Sequence, residues 1–176
     1  FVYDDAKDPL KYTVYLGQGG YTLPDRDYYL EDRFAKQRAA YEIYVAKMLG
    51  LAGWPNPEAH AKAIVAMETE VAKVSWTKVE QRDDDKTYNP YPVAELPKLA
   101  PGFNWTAFLA GAELSAAKRV VVAENTAFPK IAAIYAKTDL DTLKAWLAFT
   151  TIDQAAGYLS KDFDQAKFEF RNKTLS

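Results

Sequence analysis

Residues 26–74 read RDYYLEDRFAKQRAAYEIYVAKMLGLAGWPNPEAHAKAIVAMETEVAKV, and their apolar positions recur at helical rather than strand spacing. From about Arg26 to Gly50, the residues Leu30, Phe34, Tyr41, Val45 and Met48 follow one another at intervals that stack them on one helix face. Gly50 and Gly53 supply the stop, since glycine accepts the left-handed backbone that ends a helix. Asn56-Pro57 supplies the next start. Asn56 can accept a bond from an orphan backbone N–H, and Pro57 at the first helical position forfeits nothing by lacking its own. Ile64, Met67, Val71 and Val74 then form the buried stripe of a second helix.

Outward from this pair, the amino-terminal side has strand character. Tyr12, Thr13, Val14, Tyr15 and Leu16 are β-branched or aromatic and end at Gly17-Gln18-Gly19-Gly20, which reads as a flexible connection. On the carboxyl side, Gln81 to Pro101 breaks into charges and prolines, a loop with one short turn near Val93 to Leu96. Asn104 caps a helix carrying Trp105, Phe108 and Leu109, and Arg119 to Ala123 reads as a short strand. A helix from about Thr126 to Lys137 tolerates Pro129 only in its first turn. Thr138 with Asp141 has the spacing of a capping box ahead of Leu140, Leu143 and Leu147. Phe163, Ala166 and Phe170 mark a last amphipathic helix. The expectation is a mainly α, multi-helix fold with one or two short β strands, a single helical domain over residues 1–176.

Composition narrows the function. Among 176 residues, 49% are hydrophobic and 26% charged, the balance of a chain that buries a core. Lysine and arginine number 22 against 24 acidic residues, so the net charge is −2 and nothing is provided to neutralise phosphates. Nucleic acid is therefore not an expected partner. No run reaches the roughly 18 apolar residues of a membrane helix, and the chain opens at Phe1 without a charged-then-apolar leader. There is no cysteine, which removes disulfides, thiol nucleophiles and thiolate metal ligands together.

Each candidate for chemistry meets a plainer reading. His60 is the single histidine, followed by Ala61-Lys62-Ala63, so no H-E-x-x-H pair of imidazoles exists here, and it reads as a surface residue. No Gly-x-Ser-x-Gly elbow offers it a serine nucleophile. Asp83-Asp84-Asp85 lacks the alternating spacing of a calcium loop and reads as a solvated turn. Glu68 and Glu70, two apart on a helix, point away from each other. The aromatics Tyr28, Tyr29, Phe34, Tyr41 and Tyr44 suit a peptide groove but suit core packing better.

Three stretches in order carry a resemblance: Leu23-Pro24-Asp25-Arg26-Asp27-Tyr28-Tyr29, then Met67-Glu68-Thr69-Glu70-Val71-Ala72, then Arg82-Asp83 followed by Thr87-Tyr88-Asn89. Phe103-Asn104-Trp105, Val120-Val121-Val122 and Tyr158-Leu159 onward to Phe170 continue it. Together they resemble the region preceding the zinc motif in the neprilysin and endothelin-converting-enzyme family of zinc metallopeptidases. The resemblance implies a helical lid facing a catalytic domain of the same polypeptide across an enclosed cavity, with oligopeptides as substrates. It implies zinc in the full-length parent and none bound by this segment. Two decoys do not carry over. Glu124-Asn125-Thr126-Ala127 starts like a ligand motif but has Phe128 where aspartate belongs, and Asn89-Pro90-Tyr91 has proline inside what should be a substrate strand. What carries over is a structural signature at Arg26, Asp27, Tyr28, Arg82, Asp83, Tyr88 and Asn89. Arginine–carboxylate pairs and the Tyr88 hydroxyl are expected to tie the loop after the second helix to the first.

Catalytic and metal-binding residues are thus expected to be absent from this chain, and substrate-binding residues are unassigned. Animal members of the family carry disulfides, so the lack of cysteine implies a bacterial-type relative, and the expected location is extracytoplasmic, periplasmic or secreted. A lid without its partner should also expose an apolar face. The competing reading is a free-standing, non-catalytic helical interaction module that keeps the scaffold without the protease.

Overall fold

The computed structural model describes residues 1–175. Strands β1 (Val2–Asp5) and β2 (Asp8–Leu16) open the chain, followed by helices α1 (Asp27–Leu30), α2 (Ala35–Leu51) and α3 (Pro57–Val74). Short helix α4 (Asp84–Thr87), strand β3 (Pro90–Pro92), helices α5 (Leu96–Leu99) and α6 (Trp105–Gly111) and strand β4 (Arg119–Val122) come next. Helices α7 (Phe128–Lys137), α8 (Leu140–Ala155) and α9 (Lys161–Lys173) complete it. The fold is mainly α. These elements form two compact units, each made of two chain segments: 1–20 with 74–137, and 21–73 with 138–175.

The first unit carries a four-stranded sheet in the order β1-β2-β4-β3. β2 and β4 run parallel, with Val14, Tyr15 and Leu16 opposite Val120, Val121 and Val122, while β1 on β2 and β3 on β4 are antiparallel. The three valines of β4 are fully buried, the continuous apolar run expected of an inner parallel strand. Two strands were legible in the sequence, and the other two are edge strands. β3 contains Pro90 and Pro92, which cannot donate to a ladder and are tolerated only at an edge. Val14, Leu16, Val120 and Val122 pack against Leu96, Trp105, Leu109 and Ala132. Beyond that core, β2 projects Leu10 and Tyr12 into solvent, 95% and 79% exposed.

The second unit is helical. Tyr41, Val45 and Met48 hold the expected face of α2, joined by Tyr44 and Leu49. Against them lie Phe149 of α8 and Phe170 of α9, with the Tyr44 and Phe170 rings stacked at 4.5 Å. Each such ring contributes about 1.5–3 kcal/mol by leaving water. The single helix expected from Arg26 to Gly50 is broken at Glu31, whose backbone is extended. Arg38 holds the break open by donating to the carbonyls of Tyr28 (3.0 Å) and Glu31 (2.6 Å). At the other end of α2 the stop is as read. Gly53 has φ +74°, its N–H reaches the Gly50 carbonyl, and the Trp54 N–H reaches that of Leu49, the double bond of a Schellman ending. Helix α8 corrects a reading: its cap is Asp139, which accepts from the Thr142 N–H and hydroxyl at 2.8 Å each, not Thr138. The pattern Thr138-x-x-Asp141 and the operative Asp139-x-x-Thr142 differ by one residue, and the backbone turns helical only at Leu140.

Candidate functional site

In the first unit the polar side chains converge on Asp5. It is 3% exposed, and its carboxylate accepts from the Lys7 N–H (2.9 Å), the Thr13 hydroxyl (2.9 Å), the Tyr88 hydroxyl (2.7 Å) and the Arg119 guanidinium (2.7 Å). Arg119 also donates to the Tyr88 oxygen at 2.6 Å, closing a triangle. The Tyr88 bond, then that of Arg119, holds the Asp5 acid well below the usual carboxylate range, and the same Asp5–Tyr88 bond pushes the Tyr88 phenol upward. A carboxylate fixed ionised beside a phenol fixed neutral has no proton to exchange near pH 7. The triangle is a lock and not an acid–base pair.

Four of the seven signature residues lie in this unit. The Tyr88 hydroxyl, expected to reach the first helix, is engaged instead by Asp5 and Arg119 at the sheet. Asn89 presents its side-chain amide to the carbonyls of Lys86 (2.6 Å), Val122 (3.0 Å) and Ala123 (3.1 Å), clamping the end of β4. Asp83 caps α4 by accepting from the Lys86 N–H, so the acidic run is a helix start. Arg82 closes the 3-10 turn before it. Glu124, the start of the decoy motif, is buried and accepts from the Gln18 N–H (2.7 Å) and the Gln81 side chain (2.9 Å). The Gln18 side chain is itself bonded both ways to the Trp76 backbone, so the glycine-rich segment is pinned rather than flexible.

In the second unit the corresponding centre is Glu68, which the sequence offered only as half of a divergent pair with Glu70. It is fully buried on α3. One carboxylate oxygen accepts from the Thr22 hydroxyl (2.9 Å) and the Trp146 indole (3.0 Å), the other from the hydroxyls of Tyr29 (2.7 Å) and Tyr41 (2.8 Å). All four donors are neutral. Burial raises the Glu68 pKa and the four bonds pull it back, with a net shift upward. Burial likewise pushes the Tyr29 and Tyr41 phenols up. A signal existed: Glu68 falls four residues after Ile64 and three before Val71, a charge on the apolar stripe. Of the remaining signature residues, Arg26 and Asp27 form the start of α1, where the Asp27 N–H reaches the Asp25 carboxylate. Tyr28 stacks on Phe34 at 4.1 Å. Tyr29, Tyr41 and Tyr44 are core residues, with the Tyr44 hydroxyl on Asp153 at 2.7 Å.

The donors do not fit a zinc ion. Zinc takes nitrogen or sulfur ligands backed by carboxylates. The one imidazole, His60, spends Nδ1 on the carbonyls of Pro55 (2.9 Å) and Asn56 (3.1 Å) at the start of α3. Among the described residues no group of three or more histidine or acidic side chains is placed to hold a metal. No helix of the described residues is long and apolar enough to cross a membrane.

Residues 1–176 match the model of peptidase family M13. An endothelin-converting enzyme homolog of Locusta migratoria is 31% identical over 177 residues, 93% of this chain and 24% of the relative. Endothelin-converting enzyme 1 of Homo sapiens is 26% identical over 178 residues, 97% of this chain and 23% of that protein. Among solved structures, the zinc metalloprotease Zmp1 of Mycobacterium tuberculosis in complex with an inhibitor superposes with a TM-score of 0.92 at 31% identity, over 100% of this chain and 28% of that one. The chain therefore spans about a quarter of the length of these relatives.

Proposed function

Because this chain belongs to peptidase family M13, the family of neprilysin and endothelin-converting enzyme, we propose that it is the N-terminal, non-catalytic part of a zinc metallopeptidase whose metal and general base lie elsewhere in the parent polypeptide. The observation that carries this reading is the family match over the whole chain. A single histidine and no cysteine point the same way, since a helical zinc protease needs at least two imidazoles on one face. In this reading the helical unit serves as lid and partial wall of a chamber, selecting oligopeptides by size and limiting access of bulk water. Its partner is the catalytic domain of the same polypeptide, and its location is extracytoplasmic.

The residues of this chain contribute rigidity. Arg26, Asp27, Tyr28, Arg82, Asp83, Tyr88 and Asn89 act as scaffold, and the Asp5–Tyr88–Arg119 triangle and the Glu68 network hold their units in shape without taking part in proton transfer. In this reading the catalytic domain would hold the zinc, whose chemistry would be to polarise water there.

The test compares the parent with this chain. The parent is expected to bind one zinc per molecule, cleave a quenched fluorescent peptide of about ten residues, lose that activity to a chelator and leave a folded 20 kDa protein uncut. The chain alone is expected to do none of this. Stoichiometric tight zinc and peptide cleavage by the chain alone would overturn the reading. A parent reading frame with no H-E-x-x-H segment would favour the free-standing interaction module instead.

A further inference from the structure

The sheet-bearing unit contains a cavity of about 370 Å³ that none of the foregoing uses. It opens at the carboxyl end of β2, where Leu16 passes into Gly17-Gln18-Gly19, beside the parallel partner β4. One wall is Phe103, Trp105 and Phe108 at the start of α6, and the other is Phe128, Ile131 and Tyr135 of α7. Ala100 and Ala132 keep the space between them clear. The wall rings already meet edge to face: Phe103 on Trp105 at 4.7 Å and 63°, and Trp105 on Phe108 at 6.0 Å and 88°. Phe128 lies parallel to Trp105 at 6.2 Å.

Three polar side chains of this lining, Trp105, Gln18 and Tyr15, are committed elsewhere. The Trp105 indole N–H donates to the Ala100 carbonyl. The Gln18 amide is bonded in both directions to the Trp76 backbone. The Tyr15 hydroxyl accepts from the Ala6 N–H and donates to the Asp4 carbonyl. No lining side chain is an acid, an amine, a guanidinium or an imidazole, and the one charge on the lining, the Phe1 ammonium, donates to the Tyr15 carbonyl at 2.9 Å. A cationic ligand would lose its hydration and meet only the like charge of the Phe1 ammonium, whereas an uncharged ring would gain apolar burial and further edge-to-face contacts. An engineered cavity of roughly 150 Å³ already accommodates benzene, so this volume suits two fused rings.

We propose that this cavity is a binding site for one compact, uncharged aromatic group, either a free small molecule or the ring of a neutral peptide. The assignment goes beyond the peptidase reading and does not depend on it. The probe is 5-fluoroindole, titrated onto the 176-residue chain and followed by fluorine NMR. A Kd on the order of 0.1–1 mM is expected for a ligand of this size. The amine 5-fluorotryptamine is expected to bind at least about tenfold more weakly, because the lining offers its charge no anion. A capped Gly-fluorotryptophan-Gly peptide separates the sources: binding at similar strength assigns a peptide-borne ring, and its failure beside a binding indole assigns a free molecule.

Phe108→Ala removes a partly exposed wall ring and is expected to weaken 5-fluoroindole by about fivefold. Phe128→Leu, which keeps apolar bulk and deletes only the ring, gives the same reading if the first variant does not fold. No saturable binding up to about 5 mM overturns the proposal. So does affinity that stays within about twofold in the folded variant, or an amine that binds as well as the neutral ring.

Discussion

At the scale of the residue, Glu68 and Asp5 are opposite solutions to burying a carboxylate. Glu68 has four neutral donors, so burial dominates and its acid is weakened. Its folded pKa lies above the ordinary glutamate value. The folded chain therefore holds a proton that the unfolded chain has released, and stability falls as pH rises from that ordinary value through the raised one. Glu68→Gln should remove this slope, so in urea titrations across pH the wild type should lose ground to the variant as pH rises. A gap that is the same at every pH would contradict the assignment. Glu68→Ala strands four donors and opens a void, and should cost about 3 kcal/mol or more in the same measurement.

Asp5 has the reverse sign. Tyr88 and then Arg119 depress its acid, so its contribution is present above the ordinary aspartate value and is lost as pH falls toward the folded one. Tyr88→Phe deletes the bond with the largest effect and leaves the ring. Its acid-unfolding midpoint, read by Trp76 and Trp105 fluorescence, should move to higher pH. An unchanged midpoint would leave the triangle without a role in stability.

At the scale of the element, helix ends were legible and breaks were not. Gly53 was readable as a stop because only glycine takes φ +74° at little cost. An added Cβ there meets nothing within 4 Å, so Gly53→Ala should cost about 1–2 kcal/mol from backbone conformation alone. The break at Glu31 left no such mark, because what holds it is Arg38, a side chain from the next helix that reads as an ordinary polar position. The cap of α8 was misplaced for a related reason: Thr138, Asp139 and Asp141 all fit the motif, and only the backbone decides which side chain meets a free N–H. Asp139→Ala should therefore lower the thermal midpoint, while Thr138→Ala should affect it less. Strand β3 escaped notice because its prolines argue against an inner strand, and pairing at an edge depends on a neighbour more than 25 residues away.

At the scale of the whole molecule, each unit is assembled from two stretches of chain, and the lock of each unit joins its stretches. Glu68 binds Trp146 across 78 residues, and Asp5 binds Arg119 across 114. Losing either lock should therefore release one unit's own reporters, Trp54 and Trp146 for Glu68→Ala, or Trp76 and Trp105 for Arg119→Ala. The same organisation suits a wall or lid, which has to keep its shape while the chemistry is done by another part of the polypeptide.

The sequence by itself determined the helical character, the two longer helix faces, the strand at Arg119 to Val122 and the family signature, because periodicity, caps and glycine stops are local properties of the backbone. It also determined that a lone imidazole without thiols makes no helical zinc site. Only the tertiary structure decided that Glu68 is buried, that Tyr88 answers Asp5 and Arg119, and that Phe103 and five side chains of α6 and α7 line one cavity. Those facts depend on partners that chain spacing does not encode, since a carboxylate's neighbours, and with them its charge, are fixed only when distant segments close around it.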